Sequence, residues 1–202
     1  MKREIGASSP SSTPARHQIN RDLTRISANS MPTSLGSDLR LLVHRSPKAV
    51  FMSIDWRWQS FAQLSGEDLY AVLAARQQVF LLEQKCFYPD MDGLDQDSHH
   101  LLGWRTVDGK RQLAAYLRCV APGSKYAEMS LGRVLTTAHN RGAGIGRELL
   151  VVGIAHAERQ HPGHRIRIGA QLYLERFYSA LGFQSASDPY DDDGIMHIEM
   201  LR

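Results

Sequence analysis

The stretch "HNRGAGIGREL", residues 139–149, sets Gly142, Gly144 and Gly146 at alternate positions just ahead of a run with helical spacing. Glycine leaves the backbone N–H groups there open to close approach. A helix start adds up to four unpaired donors and about half a positive charge, so such a site takes an anion, above all a phosphate. Two well-known phosphate loops do not fit. A P-loop closes with Gly-Lys-Ser/Thr, whereas Gly146 is followed by Arg147 and Glu148. A dinucleotide fingerprint beginning at Gly142 needs glycine where Arg147 stands, and it follows a domain's first strand rather than lying two-thirds of the way along the chain. What remains is Arg141, two residues, Gly144, one residue, Gly146.

The surrounding pattern supplies the elements that would hold this loop. "IDWRWQSF" alternates as a first strand. "LSGEDLYAVLAARQQVFLLEQ" opens with Ser65 and Asp68 in capping-box register and runs on as one amphipathic helix through Leu69, Val72, Leu73, Val79 and Phe80. After the loop "KCFYPDMDGLDQDS", the segments "HHLLGWRT" and "QLAAYLRCV" around "VDGK" predict a hairpin. "EMSLGRVLTT" is a strand that feeds the glycines, and "GRELLVVGIAHAERQ" is a helix stopped at His161-Pro162-Gly163. "RIRIGAQ" predicts a strand, "LYLERFYSAL" a helix ended by Gly182, "ASDPYDDDG" a polar loop, and "IMHIEMLR" a last strand. Antiparallel strands first and a strand–helix–strand–helix unit afterwards make a mixed α/β sheet with helices on its faces.

With these residues in place the sequence resembles the GNAT acetyltransferase superfamily, whose R/Q-x-x-G-x-G/A loop binds the pyrophosphate of acetyl-CoA. The second match is "FYSALGF", where Phe177-Tyr178 and Gly182-Phe183 correspond to the family's F-Y-x-x-x-G-F. Within the superfamily it is similar to the ElaA-like group through "LYAVLAARQQVFLLEQKCFYPDMDGLD", "GRVLTTAHNRGAGIGREL", "GAQLYLERFYSALGF" and "DDDGIMHIEM". The resemblance implies the GNAT fold, a central twisted and mostly antiparallel sheet with helices on both faces, over residues 52–202. It implies that Val134, Leu135 and Thr136 offer their backbone to the pantetheine arm. Arg141, Gly142, Ala143, Gly144, Ile145 and Gly146 would wrap the pyrophosphate, with Arg147 beside them. Tyr178 would stand near the CoA sulfur. Gln171 occupies the place where many relatives have asparagine.

Such a resemblance implies an N-acetyltransferase in which an amine attacks acetyl-CoA directly. A lysine-like amine has a pKa of about 10.4, so at pH 7 about one molecule in 2,500 is neutral and a base would help. Glu83, Glu128, His99 and His100 are candidates, with Glu83 favoured because "LLEQ" lies in the ElaA-like block. Backbone N–H near Leu135 would stabilise the oxyanion. Two rivals stand beside this: acetyl relay through Cys119, and a regulatory domain that binds CoA without turnover.

Two acidic clusters bear on the acceptor: Asp90, Asp92, Asp95 and Asp97 in one loop, and Asp188, Asp191, Asp192 and Asp193 in another. They either draw a cationic amine to the cleft or are two solvated loops. "DMDGLDQD" has its glycine too early for a calcium loop, and His156, His161 and His164 lack the spacing of a zinc site, so no metal is expected.

Net charge narrows the partners further. Residues 1–51 carry eight Lys/Arg against three Asp/Glu, and the remainder sixteen against eighteen, within totals of 24 and 21. All the basic excess therefore sits in a Ser-, Pro- and Arg-rich amino-terminal stretch, expected to be a disordered extension or a mis-started reading frame before Met52. The acidic remainder argues against a nucleic-acid face. No apolar run approaches a membrane span, and Cys86 and Cys119 make no disulfide framework. A cytoplasmic enzyme with reduced thiols is expected, with a homodimer as an assembly open to it.

Overall fold

The computed structural model describes residues 53–202, and the expectation for residues 1–51 falls outside them. Among the described residues eight strands form one sheet: β1 (Asp55–Ser60), β2 (His99–Val107), β3 (Lys110–Val120), β4 (Met129–Thr136), β5 (Ile166–Gln171), β6 (Gln184–Ser185), β7 (Tyr190–Asp192) and β8 (Ile195–Leu201). The order is β1-β2-β3-β4-β5-β8-β6, with β7 pairing β8. Every pair is antiparallel except β4 with β5. That parallel pair is bonded only at Met129 with Ile166 and Ser130 with Arg167, so the two strands part beyond Ser130 and leave the sheet open at its centre.

Two apolar cores cover the two faces. Helix α2 (Ile145–Gln160) brings Ile145, Leu149, Leu150, Ile154 and Ala157 onto Leu101, Leu117, Met129 and Ile168. Gly153 makes that docking close, because a Cβ there would meet Leu117 Cδ2 at 2.5 Å. Helix α1 (Gly66–Arg76) covers the other face, where Val72, Val79 and Phe80 pack on Leu102, Tyr116 and Leu135. Helix α3 (Glu175–Ser179) lies on the α2 side and contributes Tyr178 to that core.

Two bulges redirect the strands. On β3, Gly103 faces Ala115 while Trp104 faces Leu113, so Ala114 is an extra residue. On β4, Tyr116 faces Leu135 while Arg118 faces Gly132, one residue more than regular pairing allows. The excess falls at Arg133, whose φ of 53° is left-handed. It reverses the side-chain alternation: Leu131 joins the core under α2, and Leu135 joins the core under α1.

Three segments differ from the sequence expectation. Helix α1 ends at Arg76, and Gln77–Glu83 continues as a π-helical turn. The helix expected over 172–181 is a 3₁₀ turn, Leu172–Leu174, followed by the five residues of α3. The polar loop contains β7, joined to β8 through Asp193 and Gly194, both at positive φ. "Asp-Gly" is a hairpin signal, masked here by the run of acids around it.

Candidate active site

The two long helices begin differently. Helix α1 is capped by Ser65, whose hydroxyl accepts from Asp68 N at 3.0 Å while Asp68 Oδ2 accepts from Ser65 N at 3.4 Å. Helix α2 has Gly144 at its N-cap, left-handed at φ 81°, and no side chain caps it. Gly142 is left-handed too, at φ 79°. The first bonds on the helix side run from Arg147 N and Glu148 N to Gly144 O. The N–H groups of Gly142, Ala143, Gly144, Ile145 and Gly146 donate to nothing among the described residues. Five successive undonated N–H groups therefore stand at the positive end of a 16-residue helix.

The strand that feeds this loop touches it directly. Arg141 Nε donates to Thr136 O at 3.1 Å, and the Thr136 methyl lies 3.7 Å from where a Gly146 Cβ would be. Asn140 braces the entry, accepting from Arg105 at 3.0 Å and donating to Thr137 at 2.8 Å. Arg141 also reaches Glu83 Oε2 at 2.6 Å, across from the end of the π-helical turn. That bond holds the Glu83 carboxyl below its ordinary pKa. Arg147 is exposed and makes no ion pair among the described residues.

The opening between β4, the strand that leads into the loop, and β5 forms a cleft of about 290 Å³. Leu131, Gly132, Arg133 and Val134 line it from β4, Ile168, Gly169 and Gln171 from β5, and Tyr178 from α3. Leu135 turns away into the core at 4% exposure. Gln171 donates to Gln84 at 3.3 Å, which ties the end of β5 to the segment after the π-helical turn. Tyr178 is held edge-on between Phe177 and Phe183, at centroid distances of 5.3 and 5.8 Å. Burial pushes its phenol up to about 12, so it carries its proton at neutral pH.

The first acidic loop is not a cation trap. Arg76, buried on the face of α1 that the helical pattern left to apolar residues, pairs with Asp90 and Asp95, each at 2.7 Å. Arg118 pairs with Asp92 at 2.6 Å and Asp95 at 2.9 Å. Arg133, at the β4 bulge, reaches Asp90 at 2.6 Å and Asp92 at 3.2 Å. Three arginines thus neutralise three aspartates, and the loop is pinned to the bulge that shapes the cleft.

The remaining base candidates are occupied elsewhere. Glu128 is bonded by Arg167 at 2.8 and 3.0 Å, which lowers its carboxyl to about 2. His100 lies between Tyr116 Oη at 2.7 Å and Asp95 O at 3.0 Å, and burial lowers its pKa. His99 stacks on Trp58. Cys119 is 1% exposed, and burial pushes its thiol up to about 12, far from a reactive thiolate. Nothing in the sequence singles out Tyr88, Tyr126, Tyr190, Asp192 and His197 as one group, yet all five line the cleft. They come from four separate segments.

Residues 82–202 match the family model described as an acetyltransferase (GNAT) domain. A UPF0039 protein of Synechocystis is 47% identical over 150 residues, covering 74% of this chain and 96% of the relative. Protein ElaA of Escherichia coli is 34% identical, over 74% of this chain and 96% of its own, and its crystal structure superposes with a TM-score of 0.68. The structure of an acyl-CoA N-acyltransferase from Pseudomonas aeruginosa is 39% identical with a TM-score of 0.69, covering 74% of this chain and 99% of that one. Among the described residues no helix is long and apolar enough to cross a membrane. With a sheet split between β4 and β5 and an uncapped α2 after β4, the chain belongs to the GNAT acetyltransferase family, in its ElaA-like group.

Proposed function

We propose that this protein is an acetyl-CoA-dependent N-acetyltransferase that works by direct attack of an amine on the bound thioester, with residues 52–202 as its catalytic domain. The observation that carries the reading is the uncapped start of α2, five undonated N–H groups on the loop that follows β4, the strand whose Leu131–Val134 line the opening in the sheet. They suit a diphosphate. Gly142 and Gly144 are needed for their left-handed backbone, whereas at Gly146 a Cβ would make only ordinary contact with Thr136. A bare Gly146 therefore serves an approaching ligand rather than the fold. Arg141 and Arg147 add charge at the rim, and Val134 to Thr136 offers strand edge to an extended pantetheine.

Acetyl-CoA would supply a thioester carbonyl, and the neutral amine nitrogen would bond to its carbon. The oxygen would carry the charge until the carbon–sulfur bond breaks and the sulfur leaves as thiolate. The proton lost from nitrogen would pass to that thiolate or to solvent. Backbone N–H at the Arg133 bulge is suited to bind the oxygen as it gains charge. Tyr178, protonated and lining the cleft, is suited to donate a hydrogen bond to the departing sulfur. Glu83, held ionised by Arg141, is assigned as the anchor of that arginine rather than as the base, because a lowered pKa makes it a poorer proton acceptor. The buried Cys119 favours direct transfer over a relay. The cysteines Cys86 and Cys119 are both unpaired thiols, which fits a reducing compartment such as the cytoplasm.

The test is calorimetric titration of the full chain with CoA and acetyl-CoA, followed by thiol release with a panel of amines. Binding and amine-dependent release are expected. Absence of binding would overturn the reading, and binding with no turnover on any amine would favour a CoA-responsive regulatory domain.

A further inference from the structure

The second acidic loop keeps the charge that the first one loses. None of Asp188, Asp191, Asp192 or Asp193 makes an ion pair among the described residues, and Asp192 lines the cleft. Its charge reaches Cys86, Tyr88, Tyr126 and Tyr190, adding to the burial that raises each of their pKa values, so it lies among the residues of the wall. Behind it, Glu199 accepts from Tyr126 at 3.3 Å and Tyr190 at 3.1 Å. Arg167 is shared by Glu128 and Glu199, which leaves that group one negative charge in excess. Lys125 lines the same cleft, over the Tyr126 ring at 5.0 Å, and has no carboxylate partner among the described residues. Arg133, the other lining side chain of fixed positive charge, is matched by Asp90 and Asp92. A further polar group points to a ligand: Ser130 is 5% exposed, lines the cleft, and its hydroxyl bonds to nothing among the described residues.

One cleft thus holds an unmatched carboxylate, an unmatched ammonium and the unpartnered hydroxyl of a buried serine. A simple amine would satisfy the first alone, and a diamine would meet Lys125 as a like charge. A nitrogen beside Asp192 is also kept protonated, and a protonated nitrogen is no nucleophile; at pH 7 even an unperturbed lysine-like amine is neutral in only about one molecule in 2,500. The nitrogen that is held and the nitrogen that reacts are therefore different atoms. We infer that the acceptor is a small amino-acid-like molecule whose ammonium and carboxylate head is held between Asp192 and Lys125, with Ser130 as a further hydrogen-bonding group, while a separate amine on its side chain reaches the thioester. This rests on the acetyltransferase reading above and names the acceptor class of that site.

The test uses the full chain with acetyl-CoA and four probes: lysine, ornithine, cadaverine, which lacks the carboxylate, and 6-aminohexanoate, which lacks the second ammonium. Lysine or ornithine is expected to exceed both of the others at least tenfold in kcat/KM. Asp192→Asn should erase the advantage over 6-aminohexanoate, and Lys125→Gln the advantage over cadaverine, each mainly through KM. Equal rates with cadaverine and lysine, or variants that keep the ratios, would overturn the assignment. So would acetyl-CoA binding by calorimetry with turnover confined to amines that lack such a head. Loss of acetyl-CoA binding itself would instead remove the underlying reading, and this one with it.

Discussion

Replacing Tyr178 by phenylalanine isolates one oxygen. The ring is fixed by Phe177 and Phe183, and the hydroxyl has no hydrogen-bond partner among the described residues, so the fold should tolerate its loss. The chemistry should not. A phenol at about 12 facing a thiol of pKa about 8.5 would surrender its proton uphill by several units, on the order of 5 kcal/mol. Full proton transfer is thus a poor use of Tyr178, and a hydrogen bond to the developing thiolate is a good one. A bond to a charged group is worth about 1.5–3 kcal/mol, which predicts a fall in kcat of roughly 10- to 150-fold for Tyr178→Phe. Thiol release under acetyl-CoA saturation measures it, with calorimetry for affinity and a thermal melt for the fold. Acetyl-CoA affinity should stay within about threefold, and kcat should show no decline from this group between pH 7 and 10, because the phenol stays protonated well above that range. A kcat within twofold of the parent would refute the role. A matching loss of affinity would show that Tyr178 holds the ground state instead.

The other predictions concern the loop, the anchor and the buried ions. Gly144→Val should weaken acetyl-CoA binding at least tenfold by calorimetry, since its φ of 81° strains a branched residue and the side chain would stand at the donors. Glu83→Gln should raise acetyl-CoA affinity by up to about fivefold, the worth of a surface pair, and change kcat less than threefold; a hundredfold loss of kcat would restore Glu83 as the base. Arg118→Ala should cost about 3–5 kcal/mol in denaturant unfolding, because Asp92 and Asp95 would lose a buried partner. In the parent, stability should fall on acidification. His100 has a lowered folded pKa, so the unfolded chain takes up protons first as pH drops below about 6.5. Asp92 and Asp95, also lowered, lose their contribution as pH falls below about 4. A melting temperature that is flat from pH 7 to 3 would contradict both.

What is legible in the chain and what is not divide along the distance over which each constraint acts. The glycines at 142, 144 and 182 are dictated by their own backbone angles, all left-handed, so a short motif carries them. The limits of β2, β4, β5 and α2 are legible for the same reason, because each of these elements alternates or repeats within a few residues. Charge has no such locality. Asp90 and Asp92 stand 43 and 41 residues from Arg133, and Asp92 and Asp95 stand 26 and 23 from Arg118. Counting acids in a window therefore cannot tell a neutral brace from an open site, and gives the same weight to both loops. Arg76 carries the clearest sign. A helical stripe running from Val72 to Val79 predicts an apolar residue there, and an arginine buried to 1% exposure demands carboxylates from elsewhere. The acidic loop that follows the same helix, 14 to 19 residues on, is the nearest source of them in the chain. Once Arg76 claims that loop, the other one, ending in the hairpin turn Asp193-Gly194, is left as the carboxylate source for the cleft.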